Sequence, residues 1–252
     1  MFDLLNEFDE FDKHVGNYDM SDPMIKLKYY HAYRVMHLCG EIADDLNLNI
    51  EEIYFAMTIG LLHDYARFKQ WSKYKTFRDI DSVDHGDLAC KLLFDNNEIE
   101  KFNIDKKHHK VIYDAIKYHN KYSYPDNLNE KNKLFCEIIR DADKLDILYL
   151  CSIGDIKLST DDSEISDLIS SEFYKNKLIK KEDVKNLNER VLLELAMIFD
   201  LNFKYSFKHL KTNKIMDNIL NKIENKKKLE PYFEYAKEII EKREKVYVRK
   251  KI

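Results

Sequence analysis

The feature that most restricts the fold of this chain is its scarcity of glycine and proline. Its 252 residues include 5 Gly and 3 Pro. These residues supply the tight turns of β-hairpins and the loops that cradle phosphate groups, so an all-β fold or a glycine-rich nucleotide loop is disfavoured. Long stretches instead carry apolar residues at helical spacing. The sequence therefore predicts an all-α protein, and the chain is long enough to bury a full core.

The charge balance does not favour a nucleic-acid partner. The 42 basic and 46 acidic residues leave a net charge of -4, whereas a nucleic-acid-binding surface needs a basic excess. No apolar run reaches the length of a transmembrane helix, and the acidic start Met1-Phe2-Asp3 is unlike a signal peptide. The cysteines fall in helical patterns without close pairing, which indicates reduced, buried thiols. We therefore predict a cytoplasmic protein without membrane contact.

A histidine and an aspartate stand together at the end of an apolar run. Residues 53–60 have the pattern of a buried helix, and His63 and Asp64 follow them. An imidazole and a carboxylate side by side suit a divalent metal. Gly60 lies about one turn earlier, where the missing side chain suits close approach by another helix or an ion. Taken alone, the pair is better explained as a helix end that has no chemistry.

Six His and Asp residues with apolar neighbours are distributed over several predicted helices. Ligands of a metal inside a helical bundle must converge from facing helices, and this distribution satisfies that need. Asp143 shares a helical stripe with Ile139 and Cys136, and an inward carboxylate is costly unless it is paired or metal-bound. The alternative for each residue is an ordinary hydrogen-bonded or surface role. The six candidates are His31, His63, Asp64, His85, His119 and Asp143.

The number of candidate ligands suggests two ions. His85 and His119 suit a second ion, while the other four residues suit the first, with one carboxylate bridging both. Two ions roughly 3.5 to 4 Å apart activate a water molecule and hold a phosphoryl group. The candidate metals are Mn²⁺, Fe²⁺, Co²⁺ and Mg²⁺, and the four imidazoles favour a transition metal over an all-Mg²⁺ site. The remaining histidines receive the ordinary interpretation: His14, His37, His108, His109 and His209.

Residues 67–77 follow the His-Asp pair and show no clean periodicity. The segment is aromatic and basic, so we expect a loop over the site. Its aromatic residues, Trp71, Tyr74 and Phe77, could stack on a base, or they could simply pack on the core.

The order of the candidate ligands resembles the HD-domain superfamily of metal-dependent phosphohydrolases. His31, the His63-Asp64 doublet and Asp143 match its pattern of a His, a His-Asp pair and a distant Asp, and the intervening His85 and His119 are similar to its binuclear members. The resemblance covers roughly residues 25–152. It implies an HD-domain-like helical bundle, which we place in residues 1–154. After Gly154 the sequence becomes highly charged with a helical pattern over residues 161–249, so we predict residues 155–252 as a helical C-terminal extension packed on that bundle.

The resemblance implies a hydrolase that cleaves a phosphate ester or anhydride of a nucleotide or another small phosphorylated metabolite, using a metal-activated water. In that interpretation Asp64 binds or bridges metal, and the cations Arg67, Lys144 and Arg34 are candidates to meet the substrate phosphate. Structural ion pairs are the alternative for these three. Two further aspartates near Asp143 either support the ligands or are merely solvated: Asp141 and Asp146.

The chain differs from two subfamilies at diagnostic positions. Residues 65–68 are Tyr-Ala-Arg-Phe, where the guanosine-tetraphosphate hydrolases carry a Glu-Asp pair, and the Gly-Tyr-Pro extension of cyclic-dinucleotide phosphodiesterases is missing. Two other functions use the same features. One is a di-iron oxygenase of the same superfamily, and the other is a non-catalytic module that binds a nucleotide or a partner. The presence of all six candidate ligands argues against a decayed site.

Overall fold

The computed structural model describes residues 3–246, and the regular structure in that range is helical without any β-strand. The predicted all-α class is therefore confirmed. Short 3-10 turns and one π segment, Lys91–Asp95, connect the longer elements. The α-helices are α1 Leu4–Val15, α2 Pro23–Asp45, α3 Ile50–Leu62, α4 Arg67–Tyr74, α5 His85–Cys90, α6 His109–Tyr118, α7 Glu130–Ile153, α8 Asp167–Tyr174, α9 Leu187–Leu195, α10 Lys204–Thr212, α11 Ile215–Lys222 and α12 Glu230–Val246.

The chain divides into two compact units inside α7, between Asp143 and Lys144. The first unit contains α1 to α6 and the first part of α7, and the second contains the rest. The sequence placed the boundary at residue 154, at the end of this helix. A helix that continues through both units shows no break in periodicity that would mark the division. Residues 1–2 and 247–252 of the predicted domains lie outside the described residues, and the packing of the extension on the first domain stays a prediction.

Side-chain caps begin three of the helices that position the candidate ligands, α2, α3 and α5. Asp22 caps α2 by accepting from a backbone N–H of its first turn, and Pro23 is the first residue of the helix. Asn49 and Glu52 form a reciprocal capping box at the start of α3. Asp84 caps α5 in the same way as Asp22 caps α2, so His85 is the first residue of that helix.

Gly60 sets the distance between α2 and α3, the helices that supply His31 and His63. A Cβ at Gly60 would lie 2.7 Å from Cα of Met36 and 3.0 Å from Sγ of Cys39, both on α2. Because that contact is with backbone, any larger residue would push the two helices apart. The close approach expected at Gly60 is thus a contact between helices.

The segment after the His-Asp pair is helical, so the expectation of a loop over residues 67–77 was wrong for most of its length. Arg67–Tyr74 forms α4, which ends at Lys75 in the left-handed conformation, with φ 53°. The helix buries Phe68 and Gln70. A glutamine on the inward face interrupts the apolar pattern, and this explains why the periodicity was not visible in the sequence.

The second unit is a helical assembly with its own core. Phe173 packs with its ring centroid 4.9 Å from Phe199 and 5.3 Å from Tyr232. Lys144 makes an ion pair with Asp200, with 2.9 Å between Nζ and Oδ2. Residues 155–166 between α7 and α8 are not helical, although they belong to the segment 155–252 that the sequence predicts as a helical extension.

Candidate metal centre

Four histidine side chains meet inside the first unit, each from a different part of the chain. His31 comes from α2, His63 follows α3, His85 begins α5 and His119 follows α6. All four are buried, with at most 3% of the residue exposed. Nε2 of His31 lies 3.2 Å from Nε2 of His63, and Nε2 of His85 lies 2.9 Å from Nε2 of His119. The structure therefore brings together the four histidines singled out in the sequence.

Asp64 connects the two histidine pairs through its two carboxylate oxygens. Oδ2 lies 3.4 Å from Nε2 of His31 and 3.5 Å from Nε2 of His63. Oδ1 lies 3.4 Å from Nε2 of His85 and 3.8 Å from Nε2 of His119. One carboxylate thus faces both pairs, which is the arrangement required of a bridging ligand.

Asp143 completes the first histidine pair from α7. Its Oδ1 lies 3.2 Å from Nε2 of His31 and 3.7 Å from Nε2 of His63, and 14% of its side chain is exposed. Asp143 therefore points inward from α7 toward His31 and His63, as the helical stripe predicts.

Hydrogen bonds at the other ring nitrogen define the tautomers of three of these histidines. Nδ1 of His63 and Nδ1 of His119 each donate to the carbonyl oxygen three residues earlier, at 2.7 and 2.6 Å. Nδ1 of His85 donates to Oδ2 of Asp79 at 2.7 Å. Because carbonyl and carboxylate oxygens only accept, each Nδ1 carries the hydrogen and each Nε2 presents a lone pair to the centre.

The resulting set of donors fits a divalent cation. Lone pairs on these Nε2 atoms and the oxygens of Asp64 point into one buried volume, where they repel one another unless a cation lies among them. Burial lowers the pKa of His63, and it lowers that of His85 to about 3, so both imidazoles are neutral near pH 7. Groups of three potential ligand atoms within 4.8 Å of one another occur at His31–His63–Asp64, His63–His119–Asp143 and Asp64–His85–His119.

Two cations contact Asp64 from neighbouring helices. Nζ of Lys28 lies 2.6 Å from Oδ2, and Nε of Arg67 lies 3.3 Å from Oδ1. Burial by itself would raise the pKa of Asp64, but the cationic side chains of Lys28 and Arg67 hold the pKa well below its usual range. Arg67 was a candidate from the sequence and Lys28 was not, although Lys28 lies three residues before His31 and so shares its helix face.

Asp79 and Gln70 were also missed. Asp79 lies in the 3-10 turn Asp79–Asp81, where its Oδ1 accepts from Nη1 of Arg67 at 3.2 Å and from Nε2 of Gln70 at 3.0 Å. Burial opposes the ionisation of Asp79, but His85 and Arg67 hold its pKa well below the usual range. Gln70 follows Arg67 by three residues, which is a local signal. Asp79 offers none, because its partners depend on how the chain folds back.

The other predicted cations and aspartates lie in varied surroundings. Lys144 is buried and pairs with Asp200, so its contact with substrate phosphate stays a prediction. Arg34 is half-buried one turn after His31. Asp141 and Asp146 are buried, which excludes the alternative that they are solvated.

The aromatic side chains after the His-Asp pair pack against each other and against the cations. The ring centroids of Trp71 and Phe77 are 5.0 Å apart, and Nε1 of Trp71 donates to Asp22 at 2.7 Å. Lys28 and Arg67 each lie 5.5 Å from the centroid of Phe77. Phe77 thus lies beside the two cations that contact Asp64, which favours a packing role for this ring.

Two further histidines have the ordinary role expected from the sequence. His14 stacks on Tyr65 with 3.7 Å between ring centroids, and its Nε2 lies 3.1 Å from the carbonyl oxygen of Tyr65. Nε2 of His109 lies 3.1 Å from the carbonyl oxygen of Ile104.

Comparison with known proteins identifies one family. Residues 29–148 match the family model described as HD domain, a segment that includes every candidate ligand. No curated protein matches the chain, and no solved structure does. Within residues 3–246, none of the helices combines the length and apolar character needed to cross a membrane.

Proposed function

This chain belongs to the HD domain family through residues 29–148, and we propose that it is a divalent-metal-dependent phosphohydrolase. Its substrate class is a phosphate ester or anhydride of a nucleotide or another small phosphorylated metabolite. HD domains are mostly metal-dependent hydrolases, which supports the reaction class. The absence of a basic excess supports a small-molecule substrate over a nucleic acid.

The observation that carries this proposal is the position of Asp64 between the two histidine pairs. On one side, His31 and His63 face Oδ2 of Asp64, and Asp143 faces His31. On the other side, His85 and His119 face Oδ1 of Asp64. These six residues would hold two divalent ions. Bound divalent ions supply Lewis acidity toward a phosphoryl oxygen and lower the pKa of a water molecule. The imidazole-rich donor set supports Mn²⁺, Fe²⁺ or Co²⁺ over an all-Mg²⁺ site.

The chain's own cations would bind and orient the substrate phosphate. Arg67 uses Nε and Nη1 in its hydrogen bonds, which it donates to Asp64, Gln70, Asp79 and the carbonyl oxygen of Phe77. Its Nη2 would therefore be the atom that contacts a phosphate oxygen. The Nε contact also keeps the carboxylate of Asp64 in place. Because the ammonium of Lys28 lies on Oδ2 of Asp64, beside the centre, we add Lys28 to Arg67 and Lys144 as a candidate phosphate contact. A cytoplasmic location agrees with the four buried thiols.

The test is phosphate release by metal-stripped protein reloaded with Mn²⁺, Fe²⁺, Co²⁺ or Mg²⁺. The substrates are nucleotides, cyclic nucleotides and phosphorylated metabolites. Release is expected with at least one metal and is expected to disappear in Asp64→Ala. The matched control is Asp81→Asn, since Asp81 is an exposed carboxylate that pairs with Arg78 at 2.7 Å.

Three outcomes would contradict the hydrolase. An Asp64→Ala protein that is folded and fully active would remove the centre from the reaction. Oxygen consumption by the iron-loaded protein, without phosphate release under any metal, would favour the di-iron oxygenase. Tight nucleotide binding without turnover would favour the non-catalytic module.

A further inference from the structure

His85 differs from His63 and His119 in the group that accepts the hydrogen bond from its Nδ1. His63 and His119 donate Nδ1–H to backbone carbonyls of their own helices. His85 is the first residue of α5, and a helix start offers its side chain no carbonyl from a preceding turn. It donates instead to a carboxylate from another segment, with Nδ1 2.9 Å from Oδ1 and 2.7 Å from Oδ2 of Asp79.

Asp79 is itself held by three side-chain donors. Its Oδ1 accepts from Nη1 of Arg67 at 3.2 Å and from Nε2 of Gln70 at 3.0 Å, and its Oδ2 accepts from Nδ2 of Asn120 at 3.2 Å. Gln70 is fully buried, and 4% or less of the His85 side chain is exposed. The carboxylate therefore cannot turn away from His85 without breaking bonds to groups from α4 and from the end of α6.

We propose that Asp79 is a positioning residue that fixes the Nδ1–H tautomer of His85 and so decides whether His85, His119 and Asp64 can hold the second ion. This inference rests on the two-ion centre of the proposed function. A neutral imidazole has one lone pair. That lone pair must lie on Nε2 of His85, the atom 3.4 Å from Oδ1 of Asp64. A hydrogen on Nε2 would use the lone pair, and His85 would no longer be a ligand.

Replacing Asp79 by asparagine separates this role from a general contribution to folding. The amide has nearly the same shape but only one acceptor oxygen, whereas four donors surround the position. If its oxygen stays on Arg67 and Gln70, the amide nitrogen faces Nδ1 of His85 and forces the hydrogen onto Nε2. Loss of such an orienting partner costs about 10–100-fold in metal affinity, and here the loss is confined to one ion.

The experiment counts Co²⁺ bound to the metal-stripped full chain. Equilibrium dialysis at a series of Co²⁺ concentrations gives stoichiometry and affinity, and the visible absorption of bound Co²⁺ reports its ligand environment. We expect two ions in the wild type and in the control Asp81→Asn, from the same turn. We expect Asp79→Asn to keep the first ion at unchanged affinity and to bind the second about 10–100-fold more weakly.

The outcomes separate this inference from the proposed function. Asp79→Asn with two ions at wild-type affinity would overturn the role of Asp79, whether or not the wild type releases phosphate. A wild type with fewer than two ions would overturn it as well. Two ions in the wild type, one in Asp79→Asn and no phosphate release by either would support Asp79 while refuting the phosphohydrolase.

A measurement on the wild type covers the case in which Asp79→Asn fails to fold. Nitrogen-15 NMR of the histidine rings in the Zn²⁺-loaded protein distinguishes the ligating nitrogen from the protonated one. Ligation of His85 through Nε2 with a hydrogen on Nδ1 is expected. Ligation through Nδ1 would overturn the inference.

Discussion

Replacement of Gly60 by alanine tests whether the spacing of α2 and α3 builds the first half of the centre. The new Cβ would lie 2.7 Å from Cα of Met36, whereas ordinary contacts begin near 3.4 Å. The helices must therefore separate by about 0.7 Å at this point. Gly60 lies one turn from His63, so the displacement is expected to widen the gap of 3.2 Å between Nε2 of His63 and Nε2 of His31.

The matched control is Gly40→Ala, at the same helix pair. Its Cβ would lie 3.0 Å from Cγ and 3.2 Å from Sδ of Met57, which are atoms of a flexible side chain that can move. Both substitutions gain about 1 kcal/mol of helix propensity. The difference between them therefore isolates the backbone clash, and overpacking of this kind costs about 1–3 kcal/mol.

Thermal unfolding followed by fluorescence of the single tryptophan, Trp71, reports on the first unit. At roughly 2–4 °C per kcal/mol, Gly60→Ala is expected to melt roughly 2–12 °C below Gly40→Ala. It is also expected to bind the first ion more weakly, as measured by Co²⁺ dialysis. Equal melting temperatures and equal Co²⁺ affinities for the two variants would refute the claim that backbone contact at Gly60 sets the centre.

Two further predictions concern buried charges of the first unit. Burial raises the pKa of Glu7 from 4.5 to about 7, so between these pH values the folded protein binds a proton that the unfolded chain does not. The free energy of unfolding should therefore fall as pH rises from 4.5 to 7, by at most about 1.4 kcal/mol per pH unit. An equally steep fall in Glu7→Gln would exclude this carboxyl as the cause. Arg140 donates to the carbonyls of Tyr118 and Lys121, both at 2.7 Å, on either side of His119. Arg140→Lys should therefore cost about 1.5–3 kcal/mol per lost bond in urea unfolding and weaken the second ion. Unchanged stability would contradict that role.

The helical class and the identity of the candidate ligands were predictable because they depend on local features. Apolar spacing and the lack of turn residues indicate helices without knowledge of their partners. Caps such as Asp22 and Asp84 act within one turn, so they are visible in the sequence. The histidines and aspartates were found because polar groups among apolar neighbours need a reason to be buried.

Features that depend on contacts between distant segments were not predictable. Asp79 has no helical register, and its role appears only when its turn packs against α4 and His85. The helical state of residues 67–74 was hidden because one of its inward residues, Gln70, is polar. The boundary inside α7 was hidden because periodicity continues across it.

The sequence by itself thus determined the helical class and which residues are able to ligate a metal. Only the tertiary structure decided that Asp64 faces two histidine pairs, that Lys28 and Arg67 contact its two oxygens, and which ring nitrogens face inward. The physical reason is that residue type and helical period are properties of a single segment. The direction of a lone pair and the sharing of a carboxylate depend on distances of 3–4 Å between segments, and packing alone sets these distances.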